Sequence, residues 1–303
     1  MPLTSFDDLA RVADVQRPQV SVVAAGAADE TVLQALSEAQ SRGWVKAILA
    51  GDESEIRKSA GLARIDLAPM EIVDSIEAVA TAVAQVRGGR AEMLMKGQVD
   101  TPTLLRAILD PVKGLRTGET ISQVALMEIR DQGRRFLMAD VGITIEPTLA
   151  QKAEIVSGVI QVARQLGSTE PRVALLSATE KPNSGMPDTL ESAELQRRNA
   201  GGEFPGAVIQ GPLSFDLAYA VGAGAKKPVA GGVIGAADAL VFPNLVAANL
   251  TIKGIMYTAD CRFGGILHGA ACPVAFMSRA DTTATRLHSL LLALRTAERI
   301  SYG

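Results

Sequence analysis

The residues of this chain that could do chemistry follow apolar runs, at points where strands are expected to end. Ser278 and Arg279 come directly after the run PVAFM. A hydroxyl beside a guanidinium offers several donors to a phosphate and can also contact a carbonyl oxygen. In the alternative interpretation Ser278 caps the last helix and Arg279 pairs with a nearby acid such as Asp281. The pattern predicts an anion site, and the structural alternative stays open.

Further polar side chains occupy comparable positions elsewhere in the chain. Lys181 and Asn183 follow the apolar run VALLS, and Arg106 lies on a predicted helix after MKGQVDTP. Asn249 and Lys253 are four residues apart on another predicted helix and so share a face, which can equally be an ordinary solvated face. Because ligands bind at the carboxyl ends of strands in open α/β sheets, we expect these side chains to contribute to one site.

The elements that must position these residues alternate between apolar strands and amphipathic helices. Residues 72–87 are predicted as one helix with Ile76 on its apolar face. Val124 to Ile129 and Arg135 to Ala139 are close in sequence and are predicted as an antiparallel pair. Continuous apolar strands separated by helices predict an α/β fold with mostly parallel sheets and helices on both faces.

The length of 303 residues permits two domains of ordinary size. The sequence has one plausible seam, between Asp140 and Pro147, where a long helix begins. We therefore predict two α/β/α domains with a cleft between them. The first domain comprises residues 1–143 and 283–303, and the second comprises residues 144–282, inserted into the first.

Composition excludes several classes of function. Hydrophobic residues make up 48% of the chain and charged residues 21%, the net charge is −3 and the pI is about 5.6. There is thus no basic footprint for nucleic acid, and no apolar run approaches the roughly 18 residues of a membrane helix. The N-terminus lacks a signal-peptide pattern, so we expect a cytoplasmic protein. Neither Cys261 and Cys272 nor the acids show the spacing of a metal site.

Several longer motifs resemble the phosphate acetyltransferase and phosphate butyryltransferase family. The resemblance extends over roughly Met93 to Leu294, and the SRAD ending favours the butyryltransferase branch. The motifs are MKGQVDTPTLLRAIL, GLRTG followed by ISQVALME, EPTLAQKAEIV, TEKPNSGMPDTLESAEL, QGPLSFD, ADALVFPNLVAANLTIK and PVAFMSRADT.

This resemblance implies an activity and a fold. The activity is reversible transfer of a short acyl group, acetyl or butyryl, between coenzyme A and inorganic phosphate. Both of these are substrates, and the chemistry needs neither a metal nor a redox cofactor. The implied fold has two domains like those of the isocitrate and isopropylmalate dehydrogenases, with the active site in their cleft. The implied assembly is a homodimer or a larger homo-oligomer.

The resemblance also implies roles for individual residues. Arg279 matches the phosphate-binding arginine and Ser278 the serine that stabilises the developing oxyanion. The aspartate of the acetyltransferase branch would fall near Thr285, which cannot act as a base, so Asp281 is predicted as the base or as the residue that orients Arg279. The residues predicted to bind phosphate or substrate are Arg106, Lys181, Asn183, Asn249 and Lys253.

Three departures from the family pattern, two of them at one predicted helix, keep alternatives open. Asn244 and Ala248 stand where the family often has an acid and a glycine, and the acetyltransferase aspartate is missing. A non-catalytic protein that binds coenzyme A or an acyl phosphate is one alternative. A metal-dependent dehydrogenase of similar fold is another, although the sequence shows neither its acid cluster nor a nucleotide loop.

Overall fold

The computed structural model describes residues 2–16, 19–225, 227 and 229–297. Numbered in chain order, the strands are β1 (Val20–Ala25), β2 (Val45–Gly51), β3 (Glu71–Asp74), β4 (Met93–Lys96), β5 (Ser122–Ile129), β6 (Arg134–Ala139), β7 (Arg172–Leu176), β8 (Val208–Leu213), β9 (Ala239–Val241), β10 (Cys261–His268) and β11 (Val274–Ala275).

The strands are connected mainly by helices, and none of the helices within the described residues is long and apolar enough to cross a membrane. The helices are α1 (Phe6–Val15), α2 (Glu30–Ser41), α3 (Glu53–Ala63), α4 (Ala78–Arg87), α5 (Thr101–Ile108), α6 (Leu149–Gln165), α7 (Pro187–Ala200), α8 (Phe215–Tyr219), α9 (Leu245–Thr258) and α10 (Thr283–Ala297).

The chain divides into two compact units. The N-terminal unit comprises Ser5–Glu119 and the chain from Phe263 onwards, and the central unit comprises Thr120–Arg262 with the residues before Ser5. These limits differ from the predicted domain boundaries, because residues 120–143 belong to the central unit and residues 263–282 to the N-terminal unit. The pairing of β11 with β4, with Val274 beside Leu94, accounts for this placement. The predicted end of the first domain, 298–303, lies outside the described residues.

The sheet of the N-terminal unit is mostly parallel. Its strand order is β3-β2-β1-β4-β11-β10, in which the first five strands are parallel and β10 is antiparallel to β11. Every residue of β4 is buried, as are the last four of β1. Burial of these strands leaves their carboxyl ends as the places where polar groups can meet a ligand.

The strands of the central unit follow the order β5-β6-β9-β7-β8. Strands β6, β9, β7 and β8 are parallel, and β5 is antiparallel to β6 with Leu126 beside Leu137. The predicted antiparallel pair is therefore confirmed. The observed architecture is an α/β fold with mostly parallel strands, as the alternation of strands and helices predicts.

The prediction of one helix over residues 72–87 is wrong. Ile72 lies in β3, beside Leu49 of β2, and α4 begins only at Ala78. Ile76, assigned to the apolar helical face, is 94% exposed in the connecting turn. The spacing of the two isoleucines fits a helix, but the open edge of β2 provides backbone hydrogen bonds that local periodicity does not reveal.

Candidate active site

Three parallel strands of the N-terminal unit end at one edge of its sheet. Strands β1, β4 and β11 pair as neighbours, so the loops that follow them lie side by side. Gly26 has a φ of +76°, and a Cβ added at Gly97 would collide with its carbonyl oxygen. Glycine at both positions therefore lets the loops after β1 and β4 pack backbone against backbone.

Lys96, the last residue of β4, is a buried cation. Its side chain is 1% exposed, and within the described residues its ammonium makes no hydrogen bond or ion pair. Its Nζ lies 5.9 Å from the centre of the Phe276 ring. Burial, followed by the charges of Arg286 and Arg279, lowers the pKa of Lys96 to about 8. A buried ammonium without a partner is costly, which points to a ligand that supplies the missing negative charge.

Arg286, on α10, is a second buried cation beside it. The residue is 0% exposed. Its Nε donates to Thr31 Oγ1 at 2.8 Å and its Nη2 donates to the Arg279 carbonyl at 3.4 Å. Asp29 Oδ1 lies 3.8 Å from Nη2, whereas the buried Nη1 has no hydrogen-bond partner. Burial lowers the pKa of Arg286, so this guanidinium also carries unused donor capacity in a site of low polarity.

The SRAD turn follows β11 and presents two exposed side chains, those of Ser278 and Arg279. Asp281 Oδ2 accepts a hydrogen bond from the Ser278 N–H at 2.8 Å, and Ser278 Oγ accepts one from the Ala280 N–H at 3.4 Å. Asp281 makes no ion pair with Arg279 within the described residues. The carboxylate thus fixes the turn, and its predicted role as a base stays a prediction.

Arg106 belongs to the same unit and lies exposed in the last turn of α5. Its Nη2 donates to Thr103 Oγ1 at 2.9 Å, while Asp100 caps the helix by accepting from the Thr103 N–H at 2.9 Å. None of the contacts of Arg106 within the described residues is to Arg279 or Lys96. Its role toward phosphate therefore stays a prediction.

The central unit has a different kind of site, a pocket at the carboxyl ends of β7 and β9. Its volume is about 590 Å³. Apolar side chains form much of the wall, and acids outnumber cations in it. The lining residues are Glu146, Pro147, Lys152, Leu176, Ser177, Ala178, Met186, Pro187, Asp188, Glu191, Phe215, Phe242, Pro243, Asn244, Ala247 and Thr251.

The polar groups of this pocket satisfy one another. Lys152 is 3% exposed, and its Nζ lies 2.6 Å from Glu191 Oε2. Ser177 Oγ donates to Asp188 Oδ2 at 2.6 Å. With the one cation paired, the negative charges of the wall disfavour a phosphate, and the pocket suits an uncharged ligand.

The predicted residues of the central unit do not line this pocket. Lys181 and Asn183 are exposed, and Asn183 Oδ1 accepts from the Gly185 N–H at 2.9 Å, which makes it part of a turn. Asn249 and Lys253 share a face of α9, as their spacing predicts, but at 3.6 residues per turn that face lies about 200° around the helix from the pocket-lining face. Their predicted roles stay predictions.

Two of the three departures from the family pattern fit the local structure of α9. Asn244 is the N-cap, and its Oδ1 accepts from the Ala247 N–H at 3.0 Å. Asparagine and aspartate are equally good N-caps, so the helix start does not need the acid. Ala248 is 0% exposed.

Sequence reasoning missed the cations that the structure buries, namely Lys96, Arg286 and Lys152. The signal was present in the sequence as charged residues that end or interrupt apolar runs, for instance the lysine of MLMK. Such residues are rarely buried unless they are paired or functional. No group of three or more histidine, cysteine, aspartate or glutamate side chains in the described part of the chain is arranged to hold a metal ion.

Fold and site together define an α/β protein whose N-terminal unit holds two buried cationic residues, Lys96 and Arg286, with unused hydrogen-bond donors. The family described as "Phosphate acetyl/butaryl transferase" matches residues 75–294. The chain belongs to this family.

Individual relatives agree with this assignment. The phosphate butyryltransferase of Clostridium acetobutylicum is 38% identical over 97% of this chain and 99% of its own. The phosphate acetyltransferase of Rhizobium meliloti is 37% identical over 98% of this chain and 94% of its own. The crystal structure of a branched-chain phosphotransacylase from Enterococcus faecalis V583 has a TM-score of 0.81 at 30% identity, with 92% of this chain and 99% of that chain covered.

Proposed function

We propose that the site formed by Lys96, Arg286, Arg279 and Ser278 binds the phosphate used in the acyl transfer reaction. Family membership makes the chain a transferase that moves a short acyl group reversibly between coenzyme A and phosphate. The observation that carries the assignment of the site is the pair of buried cationic residues: Lys96 makes no hydrogen bond or ion pair within the described residues, and the Nη1 of Arg286 has no hydrogen-bond partner. A phosphate dianion supplies the charge that Lys96 lacks and an acceptor for the free Nη1 of Arg286.

The chemistry needs positioning and charge stabilisation. A phosphate oxygen attacks the thioester carbonyl, the carbon–sulfur bond breaks, and the proton of the phosphate ends on the sulfur. Arg279 offers its exposed fork to phosphate oxygens. The Ser278 hydroxyl donates to the carbonyl oxygen as it becomes negative, and one such donor is typically worth about a hundredfold to a thousandfold in rate.

The pocket of the central unit is proposed to hold the uncharged part of acyl-coenzyme A. Its apolar wall, contributed by side chains such as Leu176, Phe215 and Phe242, suits the pantetheine arm and the acyl chain. Ser177 and Asn244 also line it and offer polar groups to the arm's amides. The identities of 38% and 37% to a butyryltransferase and an acetyltransferase do not separate the two acyl lengths, so both acyl groups are proposed as substrates.

A thiol-release assay tests this function. Protein mixed with phosphate and acetyl-, propionyl- or butyryl-coenzyme A is expected to release free thiol with at least one of them. Arg279→Ala should lower kcat/KM more than about tenfold, a loss of about 1.4 kcal/mol. Arg57→Ala is the matched control, because Arg57 lies exposed on α3 beside Glu53. No thiol release with any of the three substrates would reject the proposed function.

A homodimer is proposed on the strength of an apolar stripe on α9. Val246, Leu250 and Tyr257 share one face and are 60%, 69% and 81% exposed. An exposed apolar stripe of this kind is typical of an interface between proteins. Light scattering should give twice the chain mass, and Leu250→Glu should shift it toward one chain mass. A monomeric wild type would contradict this assembly.

Three finer expectations stay predictions. They are the isocitrate dehydrogenase-like domain arrangement, the cytoplasmic location and the absence of a required cofactor.

A further inference from the structure

The transfer reaction moves a proton as well as an acyl group, and the site needs a residue to carry it. In the phosphate-consuming direction the proton begins on HPO₄²⁻ and ends on the sulfur of coenzyme A. Arginine stays protonated near neutral pH, so Arg279 and Arg286 cannot accept it. The candidates are therefore the carboxylates near the site and Lys96.

The nearby carboxylates are already committed to the fold. Asp281 accepts from the Ser278 N–H and so holds the SRAD turn. Asp29 accepts from the Val32 N–H at 3.1 Å and from Gln98 Nε2 at 3.1 Å, and so caps α2. Asp100 caps α5 in the same way. Protonation of any of these acids would weaken a cap or a turn.

Lys96 is the uncommitted group. The residue is buried, makes no hydrogen bond within the described residues, and follows Met95, which pairs with Ala275 of β11, so it lies beside the strand that leads into Ser278 and Arg279. We propose that Lys96 is a catalytic residue that carries the proton between phosphate and the coenzyme A sulfur. This proposal rests on the proposed function and adds a role at the same site.

The charges around Lys96 support this role. Arg286 on α10 and Arg279 after β11 disfavour its protonated form, as burial does, while Asp281 after β11 and Asp100 at the start of α5 favour it. The balance brings the pKa of Lys96 to about 8, near the value of about 8.5 for a free thiol. Proton exchange between two groups of matched pKa needs little driving force in either direction.

The step is balanced without a further reactant. The Lys96 ammonium holds HPO₄²⁻ as a phosphate oxygen bonds to the thioester carbon. The carbon–sulfur bond then breaks with its electron pair staying on sulfur, the Lys96 ammonium gives a proton to the thiolate, and the neutral amine takes up the proton of the phosphoryl group. The products are the acyl phosphate and the free thiol, and Lys96 is an ammonium again for the next turnover.

Two variants separate proton transfer from simple charge. Lys96→Ala should lower kcat by roughly a hundredfold or more, and added primary amines should restore part of the rate, with a dependence on amine pKa. Lys96→Arg keeps the positive charge, so its KM for phosphate should stay near that of the wild type while its kcat remains low. Lys58 is an exposed lysine of α3, so Lys58→Ala is the control. Its kcat should match that of the wild type, and added amines should not change it.

The pH profile of kcat gives an independent result if Lys96→Ala does not fold. The wild-type profile should show one ionisation that Lys96→Arg lacks. A Lys96→Arg variant with wild-type kcat would overturn the proton role, as would a Lys96→Ala variant that amines do not rescue. In either case thiol release by the wild type would leave the phosphate acyltransferase function intact, so the two failures are distinguishable.

Discussion

Two buried lysines, one in each unit, end in opposite surroundings. Lys96 is 1% exposed and has no hydrogen bond or ion pair within the described residues. Lys152 is 3% exposed, and Glu191 holds its ammonium at 2.6 Å. Both lie near the carboxyl ends of strands. Burial alone therefore does not separate a functional lysine from a structural one, whereas the presence of a partner does.

The difference between the two lysines indicates which kind of ligand each unit can bind. A buried ion costs several kcal/mol unless a partner repays its lost hydration. The central unit supplies that partner from its own chain, and its pocket is left to an uncharged ligand. The N-terminal unit leaves Lys96 without a partner within the described residues, and the phosphate of the proposed function would supply one.

The largest expected effect is on activity at Lys96. Lys96→Met keeps the length of the side chain but removes its charge and its proton. We expect kcat to fall by about a hundredfold to ten-thousandfold, as for loss of an acid–base group, measured by thiol release. The free energy of unfolding should stay the same or rise, because an unpaired buried charge is removed. A kcat of Lys96→Met close to that of the exposed-lysine control Lys58→Met would contradict a functional role for Lys96.

The second effect is on stability at Lys152. Glu191→Ala leaves the Lys152 ammonium buried and unpaired, so the free energy of unfolding should fall by about 3 kcal/mol. Urea denaturation followed by circular dichroism measures the loss. The loss of unfolding free energy should not exceed this value, because the Glu191 side chain is 32% exposed and therefore partly hydrated. A change below about 0.5 kcal/mol would show that the pair is not structural.

The third effect is a pH dependence that belongs to Lys96. Its pKa is about 8 in the folded protein and 10.5 ordinarily, so the unfolded chain binds more protons between these values. Stability contributed by Lys96 therefore rises as pH rises from about 8 to 10.5, by at most about 1.4 kcal/mol per pH unit. The measurement is the wild-type free energy of unfolding minus that of Lys96→Met, which cancels other titrations. If this difference in unfolding free energy stays constant or falls as pH rises, the lowered pKa of Lys96 is contradicted.

The smallest effect tests the cap of α9. Asn244→Ala should lower the free energy of unfolding by about 1 kcal/mol, whereas Asn244→Asp should leave it unchanged within about 0.5 kcal/mol. Thermal denaturation of the two variants measures both. If Asn244→Ala and Asn244→Asp lose the same free energy of unfolding, aspartate and asparagine are not interchangeable as the N-cap of α9.

Sequence reasoning predicted the fold class because strand and helix periodicities are local. It also placed Ser278 and Arg279 just past a strand, since both follow an apolar run that ends in polar residues, and their role toward phosphate stays a prediction. It missed Lys96 because the absence of a partner is a property of the packed structure. It misassigned residues 72–87 because the edge of β2, far away in sequence, selects a strand there.

A calorimetric titration with inorganic phosphate tests the central claim most directly. The claim is that the buried cations of the N-terminal unit, Lys96 and Arg286, form the phosphate site. Lys96→Met is expected to weaken the Kd for phosphate at least about tenfold relative to the wild type, about 1.4 kcal/mol, while Lys58→Met leaves it unchanged. A Kd for Lys96→Met equal to that of the wild type would contradict the claim.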